Sequence, residues 1–326
     1  MPILSKNSRI ISTNGRILTW DTFQFSSIQT AILNQVTIIY RINTGKTVYL
    51  DWGVGSPILL TANNSDVVVT STYINNNTTY TVKFYGNLKD ITVFYINTEI
   101  TVCNLNINDF GTKLTGLTYL YLKTLGSNIT GSISSLPIGL TYLQLNNLGT
   151  SLTGSISSLP AGLTTLYLSA LGTSLTGSIS SLPAGLTYIY ISSTGLNYTG
   201  SINSLSTNLT YLYLETVGTN ITGSISSLPT GLTTLFLRRM GTNIDITSGT
   251  MPAWANATIT ITSGYLTAAV DGFLNAWAAS VTGTTIKTID LTGSGAGIAN
   301  QARSAASDDA VTHLQDVHMK IIQTNP

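Results

Sequence analysis

Apolar and polar positions between Leu114 and Met251 repeat with a strict period of 23 residues. Pro137, Pro160 and their equivalents mark the phase of the repeat, which reads Leu-Pro-x-Gly-Leu-Thr-x-Leu-x-Leu-x-x-Leu-Gly-Thr-x-Leu-Thr-Gly-Ser-Ile-Ser-Ser at 136–158. A unit this short cannot bury its apolar face alone. The pattern therefore predicts that successive units stack into a solenoid.

The apolar spacing inside each unit predicts one strand per repeat. Leu140, Leu143 and Leu145 recur in every unit, and the last two alternate with the period of two that a half-buried strand requires. We expect a parallel sheet whose strands are stacked in chain order near 118–122, 141–145, 164–168, 187–191, 210–214 and 233–237. A glycine follows each strand, where a tight turn needs a positive φ (Gly126, Gly149, Gly172, Gly195, Gly218 and Gly241).

These units resemble leucine-rich repeats. The Leu-x-x-Leu-x-Leu core and the Leu-Thr-Gly-Ser-Ile run at 152–156 and 175–179 are similar to the plant-type subclass. The resemblance implies a solenoid with a parallel sheet but no particular ligand. The family has asparagine in the column that here holds Leu148, Leu171, Val217 and Met240. We therefore expect a different turn after the strand, with Thr and Ser columns that hydrogen bond between repeats.

The region before the repeats carries short β-rich runs separated by Gly-, Asn- and Pro-rich turns, which predicts a small β-sandwich over 35–100. The run at 48–56, Val-Tyr-Leu-Asp-Trp-Gly-Val-Gly-Ser, resembles polycystic-kidney-disease-type (PKD-like) immunoglobulin-like domains, although Val54 replaces the aspartate of their Trp-Gly-Asp-Gly motif. Such modules are usually spacers. Residues 1–34 have no clear period, which fits a docking segment that orders against a neighbour or an ordinary first strand.

The repeat is expected to occupy 101–262 and to be closed by an α/β cap at 263–326. After a strand at 258–262 we expect an amphipathic helix at 265–281, with Leu266, Val270, Phe273, Leu274 and Trp277 on one face. A strand at 285–291, a helix at 304–319 and a strand at 320–323 follow. This tail resembles the terminal repeat of phage-borne leucine-rich-repeat fibre proteins. The predicted fold class is mainly β.

Only 8% of the residues are charged, against roughly 25% in ordinary soluble domains. Such a surface suits a fibrous or adhesive extracellular protein, and the net charge of +1 gives no reason to expect nucleic acid or acidic membranes as partners. The N-terminus lacks the apolar core of a signal peptide, and no run of 18 apolar residues predicts insertion into a membrane. A bacteriophage virion protein, made in the host cytoplasm and released by lysis, reconciles these features.

The sequence offers no convincing catalytic or metal-binding motif. Cys103 is the single cysteine, and it is expected to be a buried apolar residue. The glycine-rich run that begins at Gly293 has Ile298 where a dinucleotide-binding loop needs its third glycine, so we expect a flexible cap loop. His313 and His318 are five residues apart, whereas two metal ligands on a helix are normally four apart. We expect no cofactor, no metal and no enzymatic activity.

Aromatic residues recur at the strand positions that point away from the core. We take these positions, with two arginines at the end of the face, as candidate ligand-binding residues: Tyr119, Tyr121, Tyr142, Tyr167, Tyr188, Tyr190, Tyr211, Tyr213, Phe236, Arg238 and Arg239. Rigid aromatic area with hydroxyl groups suits the binding of sugars or proteins. A stacked ladder that only stabilises the sheet is the other interpretation, and the two are compatible.

The sequence thus predicts a non-enzymatic, fibre-like surface protein of a bacteriophage particle. We expect it to bind a host-surface glycan or protein through the repeat face and other virion proteins through its N-terminal region. Whether several copies of the chain assemble into a homo-oligomer is left open by the sequence. The alternatives are a structural or decorating virion component without a ligand, and a bacterial adhesin on the cell surface.

Overall fold

The computed structural model describes residues 3–4, 9–11, 17–19, 22–29, 34–61, 63–73, 78–97, 102–126, 128–195, 197–254, 257–265, 267–281, 288–292, 300–316 and 321–324. The chain forms two compact units. The N-terminal unit comprises 1–131 and 135–140, and the C-terminal unit comprises 132–134 and 141–326. Leu266, His318 and the glycine-rich run from Gly293 lie outside the described residues.

The N-terminal unit is built mainly of strands. In chain order they are β1 (Ile3–Leu4), β2 (Arg9–Ile11), β3 (Ile17–Thr19), β4 (Thr22–Gln29), β5 (Asn34–Ile42), β6 (Val48–Asp51), β7 (Ile58–Leu60), β8 (Asn63–Tyr73), β9 (Thr78–Gly86), β10 (Ile91–Asn97), β11 (Val102–Asn106), β12 (Tyr119–Lys123) and β13 (Ile129–Ser132). Helix α1 (Asn108–Lys113) lies between β11 and β12. Short 3-10 helices occur in both units, at Leu88–Asp90, Ile133–Ser135, Ile156–Ser158, Ile179–Ser181, Ile202–Ser204, Ile225–Ser227 and Ala305–Ser307.

Two larger sheets of this unit pack around an aromatic core. One has the order β12-β10-β5-β8 and the other β13-β11-β4-β9-β6-β7, while β1, β2 and β3 form a separate small sheet. Phe23 and Phe84 of the second sheet contact Phe94 of the first at ring-centroid distances of 5.5 and 5.6 Å. Phe110 of α1 completes this fully buried cluster. Strands that alternate inward aromatic and outward polar residues thus cover each other's apolar faces.

Two segments next to the predicted domain boundaries belong to the N-terminal unit. Thr22–Gln29 is a strand, which was one of the two alternatives for residues 1–34, and it pairs with β9 along its whole length. The first predicted repeat strand, β12, lies in the N-terminal unit and pairs in parallel with β10. The reason is that Phe23 and the apolar residues of β10 share one core, which a boundary drawn from repeat phase alone cannot show.

The strands of the C-terminal unit alternate between two parallel sheets. In chain order they are β14 (Tyr142–Asn146), β15 (Leu152–Ser155), β16 (Thr165–Ser169), β17 (Leu175–Ser178), β18 (Tyr188–Ser192), β19 (Tyr198–Ser201), β20 (Tyr211–Glu215), β21 (Ile221–Ser224), β22 (Thr234–Arg238), β23 (Ile244–Asp245), β24 (Thr258–Thr262), β25 (Thr288–Asp290) and β26 (Ile321–Gln323). The first sheet runs β14-β16-β18-β20-β22-β24-β25-β26 and the second β15-β17-β19-β21-β23.

The predicted parallel stacking is confirmed in this unit. Tyr142 pairs with Thr165 and Leu143 with Leu166, so neighbouring strands are related by one repeat, and each begins one residue later than predicted. The leucines of both sheets are buried, and Leu143 and Leu166 have no exposed surface. Burial of a leucine contributes roughly 1.5–3 kcal/mol, so this interior fixes the register of the repeats.

The turn after each long strand uses two left-handed residues. The predicted glycines have positive φ, for example 83° at Gly172. The residue directly after the strand is also left-handed, with φ between 52° and 54° at Thr124, Asn147, Ala170, Ser193, Thr216 and Arg239. Non-glycine residues rarely adopt this conformation, and the six positions have no common residue type from which it could be predicted. Leu148 and Leu171 are fully buried behind the turn.

Polar columns connect the repeats, as the Thr and Ser spacing predicted. The Thr164 hydroxyl donates to the Thr141 carbonyl at 3.1 Å, and the Thr187 hydroxyl donates to the Thr164 carbonyl at 3.2 Å. On the other side, the Ser178 amide donates to the Ser157 hydroxyl of the previous repeat at 2.9 Å. The Ser column thus satisfies backbone amides at the strand ends, and the Thr hydroxyls add a further hydrogen bond to carbonyls that already accept from backbone amides of the next repeat.

One repeat departs from the apolar pattern of its core. Thr194 stands in the column of Leu148 and Leu171, and Tyr198 stands in the column of Leu175. Both side chains are fully buried, and neither hydroxyl has a partner with good hydrogen-bond geometry among the described residues. Burial raises the pKa of Tyr198 to about 12, and the Thr194 hydroxyl offsets only part of this rise.

Strands β24, β25 and β26 continue the first sheet, and two helices lie between them in the chain. Helices α2 (Thr267–Ala278) and α3 (Asp308–Asp316) fall within the predicted ones, and Val270, Phe273, Leu274 and Trp277 are buried as expected. Asp271, which the apolar pattern placed outside the core, is also buried. Its carboxylate accepts hydrogen bonds from the Ser304 amide at 2.9 Å and the Ser307 hydroxyl at 2.7 Å, so it joins α2 to the start of the next helical segment.

Candidate functional site

The outward side of the first sheet in the C-terminal unit carries the predicted aromatic residues. We call Tyr142, Tyr167, Tyr188, Tyr190, Tyr211, Tyr213 and Phe236 the aromatic face. Each side chain is half-buried, whereas the strand neighbours that point inward are buried. The alternation follows from strand geometry, because successive side chains point to opposite sides of a sheet. The leucine core therefore holds the aromatic face in a fixed register.

Most of the aromatic face forms two columns of stacked rings. In the first column Tyr167 stacks on Tyr190 at a centroid distance of 4.1 Å, and Tyr190 stacks on Tyr213 at 4.2 Å. Phe236 follows at 5.2 Å with a tilt of 32°. In the second column Tyr188 stacks on Tyr211 at 4.2 Å. The inner rings thus cover each other's faces and present their edges and hydroxyl groups outward.

Polar residues flank both ends of the first column. Gln144 pairs with Tyr167 in the register of the sheet, and Thr260 pairs with Phe236. The Gln144 side-chain oxygen accepts a hydrogen bond from the Tyr142 hydroxyl at 2.6 Å. The ring faces along the column are therefore covered by neighbouring side chains, and a ligand cannot stack on them. Hydrogen bonding along the row of hydroxyls is the chemistry that this surface offers.

A charged cluster lies beside Tyr213. The Glu215 carboxylate accepts from the Tyr213 hydroxyl at 2.6 Å and from the Ser192 hydroxyl at 3.1 Å. Arg238 lies 3.6 Å from the other carboxylate oxygen, with 20% of its side chain exposed. The guanidinium is thus already compensated by Glu215, although five donors leave it able to bind a further acceptor. Sequence reasoning identified Arg238 as a candidate, but it did not predict that Glu215 holds the cluster together.

The tyrosine hydroxyls keep their protons well above neutral pH. Burial, helped by the neighbouring Tyr190, raises the pKa of Tyr167 to about 12 from the ordinary value of 10.0. Burial likewise raises the pKa of Tyr188, Tyr190 and Tyr211. Protonated phenols both donate and accept hydrogen bonds. The aromatic face is therefore uncharged apart from the cluster at Glu215.

Three predicted site residues lie elsewhere. Tyr119 and Tyr121 are on β12 of the N-terminal unit, where Tyr121 stacks on Tyr95 at 4.1 Å. The repeat pattern does not identify Tyr95, because this residue precedes the 23-residue repeat. The alternation of apolar and polar residues in its strand could have indicated its outward position. Arg239 follows the end of β22 in the left-handed turn column and is exposed. The sheet face therefore carries Arg238 but not Arg239.

The C-terminal unit also contains an open groove of about 440 Å³, lined by residues 242–247, Tyr265, Ala268 and Ala269. Asp245 is its one acidic lining residue, and its Oδ1 accepts from the Thr247 and Ser248 amides at 2.8 and 3.0 Å. Burial alone would raise the pKa of Asp245, but these hydrogen bonds hold it below 3.8. The carboxylate thus closes the turn after β23.

Within the described ranges, no three His, Cys, Asp or Glu side chains are grouped so that they could hold a metal ion. The same part of the chain has no helix with the length and apolar character to cross a membrane. Comparison of the chain with protein-family models, with curated proteins and with solved structures finds no match. The aromatic face is therefore the feature of the described residues from which a function can be inferred.

Proposed function

We propose that the protein is a non-enzymatic surface component of a bacteriophage particle that binds a host-surface glycan or protein through the aromatic face. The observation that carries the proposal is the pair of ring columns on the outward side of a rigid parallel sheet. A ligand that meets this face finds preorganised hydroxyl groups whose rings are already immobilised. Little conformational entropy is then lost on binding, which is the advantage of rigid aromatic contact surfaces.

The composition supports an extracellular setting for this surface. Only 8% of the residues are charged, so most polar side chains of the protein carry hydroxyl or amide groups. Such groups recognise ligands by short-range hydrogen bonds and not by long-range charge. Neutral polysaccharides and polar protein surfaces are ligands of that kind. The partners in this proposal are a host-surface glycan or protein and, through the N-terminal unit, other proteins of the particle.

The proposal includes a fold assignment, a leucine-rich-repeat solenoid preceded by a PKD-like module. The parallel repeat strands and the Leu-x-x-Leu-x-Leu pattern support a plant-type leucine-rich-repeat solenoid. The run around Trp52 supports a PKD-like module as a spacer before it. The buried leucines at 148 and 171 mark a divergent turn, since an asparagine ladder would satisfy turn amides, whereas here the Ser column accepts from backbone amides.

A virion component without a ligand is the second candidate, because the ring stacking itself favours it. Columns of rings 4.1 to 4.2 Å apart stabilise neighbouring strands whether or not anything binds. A bacterial adhesin would use the same face on a cell surface. The first two candidates differ in what the hydroxyl groups do, since stacking needs only the rings.

The experiment separates the hydroxyls from the rings. Replacing Tyr167, Tyr190 and Tyr213 together by Phe keeps the stack, as Phe236 in the same column shows is possible. We expect a melting temperature lowered only by the loss of the Tyr213–Glu215 hydrogen bond, and at least ten-fold weaker retention on intact cells of a susceptible host, because contact hydroxyls at hot spots are worth ~1–2 kcal/mol each. Replacing the same residues by Ser should weaken binding and lower the melting temperature.

A matched control changes the same number of residues on the other sheet. Thr153, Thr176 and Thr199 form an exposed column there, and their joint replacement by Ser should leave both retention and stability near wild type. If the Phe variant binds host cells as the wild type does, the ligand-binding proposal is wrong. A lower melting temperature of the Ser variant with undiminished binding would identify the columns as purely structural.

A further inference from the structure

The second column of the aromatic face is interrupted at Thr165. In the register of the sheet Tyr142 pairs with Thr165, and Thr165 pairs with Tyr188. Tyr188 stacks on Tyr211 on its other side at 4.2 Å. Within the described part of the chain this is the one ring contact of Tyr188, so no ring covers its face toward Thr165. We call the space above Thr165, between Tyr142 and Tyr188, the Thr165 gap.

The Thr165 gap is wide enough for one flat group. Neighbouring strands are about 4.8 Å apart, so the strands that carry Tyr142 and Tyr188 are roughly 9.6 Å apart. Rings in the unbroken columns lean together to 4.1 and 4.2 Å, and two such spacings still leave roughly 8 Å. A flat group that packs at about 3.5–4.0 Å on each side needs roughly 7–8 Å between the two rings. One flat group therefore fits between them.

The surroundings of the Thr165 gap are polar and uncharged. Thr165 forms its floor, and Tyr167, two residues further along β16, lies beside it. On the far side the Tyr142 hydroxyl donates to the Gln144 side-chain oxygen at 2.6 Å. Strands β14, β16 and β18, which form this part of the sheet, contain no charged residue. A neutral ligand with its own hydroxyl groups suits such a space.

We propose that the Thr165 gap is a subsite for one pyranose ring of a neutral glycan. The inference rests on the proposed function and deepens it, because it assigns the ligand class and the place where one sugar residue lies. A pyranose ring carries C–H groups on its faces and hydroxyl groups at its edge. The C–H groups pack against the negative face of the Tyr188 ring, and a sugar hydroxyl bonds to Thr165.

An aromatic side chain of a host protein fits the gap less well than a sugar. A phenyl ring could stack on Tyr188, but it would cover the Thr165 hydroxyl without offering it a hydrogen-bond partner. A polar group that loses water in this way costs binding free energy. The hydroxyl on the floor of the gap thus favours a sugar over an aromatic residue of a protein.

The other end of the Tyr188–Tyr211 stack lacks a second wall. Tyr211 pairs with Thr234, and Thr234 pairs with Thr258, so two threonines follow in succession. A sugar ring placed there would have one aromatic neighbour, whereas a ring in the Thr165 gap lies between two aromatic side chains. We therefore assign the subsite to the Thr165 gap.

The first test fills the gap. Thr165→Tyr places a ring at a position where Tyr142 and Tyr188 show that tyrosine fits the sheet. The melting temperature should stay unchanged or rise, because the new ring joins the stack. Saturation-transfer NMR with linear oligosaccharides of glucose, mannose and N-acetylglucosamine should show binding to the wild type, strongest at the ring C–H protons. We expect about five- to ten-fold weaker affinity in Thr165→Tyr, and equally weakened retention on intact host cells.

Two controls accompany this variant. Thr165→Ser keeps both the gap and a hydroxyl group, so it should bind as the wild type does. Thr176→Tyr adds the same ring to an exposed threonine of the other sheet and should also leave binding unchanged.

The second test removes a wall of the gap. Tyr188→Thr takes away the ring on which the sugar stacks, at a position where Thr165 and Thr234 show that threonine is accepted. The Tyr167, Tyr190 and Tyr213 column stays in place. Binding of the oligosaccharides should weaken by about the same factor as in Thr165→Tyr.

The outcomes separate this subsite from the proposed function. Wild-type binding by both Thr165→Tyr and Tyr188→Thr, with weakened binding by the triple Phe variant, would exclude the subsite and leave the proposed function standing. The sugar assignment is also wrong if no oligosaccharide receives saturation from the wild type. If N-acetyltyrosinamide receives it instead, and Thr165→Tyr abolishes that transfer, the gap takes an aromatic side chain of a protein.

Discussion

Replacement of Asn300 by Ala should release the C-terminal cap from the repeats. Asn300 is 3% exposed, and its side chain makes five hydrogen bonds to the backbone. Its oxygen accepts from the amides of Ser263, Gly264 and Tyr265 at 3.2, 3.0 and 3.0 Å. Its nitrogen donates to the Ile261 carbonyl of β24 at 2.6 Å and to the Leu291 carbonyl, which follows β25, at 3.0 Å. One side chain thus fixes the turn between the sheet and α2.

The expected magnitude follows from these bonds. A buried backbone group that loses its partner costs about 1–3 kcal/mol. Gly264 is only half-buried, so water can reach part of the site in the variant and reduce the total. We therefore expect Asn300→Ala to lower the free energy of unfolding of the cap by ~3–5 kcal/mol. That is a large share of the 5–15 kcal/mol typical of a whole domain.

Hydrogen exchange read by mass spectrometry suits this test, because a repeat array need not unfold in one step. Amides of 257–265 and 288–292 should lose protection in Asn300→Ala, while those of 142–169 should keep it. The matched control is Asn275→Ala, which removes one exposed hydrogen bond, to the Ala306 carbonyl at 3.1 Å, and should cost less than about 1 kcal/mol. Equal protection of the cap in the two variants would refute the reasoning.

Three further predictions concern the repeats. Gly172→Ala should lower the melting temperature and cost about 1–3 kcal/mol of stability, because φ is 83° and a Cβ would lie 2.6 Å from the backbone of the preceding repeat. Ala170→Gly, at a φ of 52°, should leave the melting temperature unchanged or raise it. Thr194→Leu with Tyr198→Leu should raise the melting temperature, because two buried hydroxyls give way to the residues of adjacent repeats. The pKa of Tyr167 is higher in the folded protein than the ordinary 10.0. The contribution of Tyr167 to stability is therefore complete below pH 10 and should be lost as the pH rises toward about 12. Thermal unfolding of the wild type and of the triple Phe variant across that pH range would measure this loss.

The sequence predicted the long strands because their leucines obey a period of two inside a period of 23. It missed the short strands such as Leu152–Ser155, since one buried leucine followed by Thr, Gly and Ser has no alternation to detect. The register error of one residue has a similar origin. The Leu140 amide donates to the Pro137 carbonyl at 3.2 Å, so Leu140 closes a turn and the strand begins only at Tyr142.

The features that composition and spacing could not reveal are those held by long-range polar contacts. Asn300 lies beside a stretch outside any apolar pattern, and only the folded chain brings Ser263 to it, 37 residues away. Asp271 is buried although it is not among the apolar residues of the predicted helix face, because Ser304 and Ser307, 33 and 36 residues away, hydrogen bond to it. Such contacts join segments whose separation follows no period, so a repeat-based prediction cannot find them.

The spacing of the aromatic rings limits how the proposed site can work. Neighbouring strands are about 4.8 Å apart, whereas the rings of Tyr167 and Tyr190 lie 4.1 Å apart, so the rings lean together and leave no gap for a planar group. Sugar rings that bind to aromatic faces would have no open face along the column, because Gln144 and Thr260 flank its ends. Recognition would then come from hydroxyls repeated once per strand, and a ligand with its own regular spacing of hydroxyl groups would engage several at once. A polysaccharide meets that condition better than a single small sugar, which favours assays with intact host cells over assays with isolated monosaccharides.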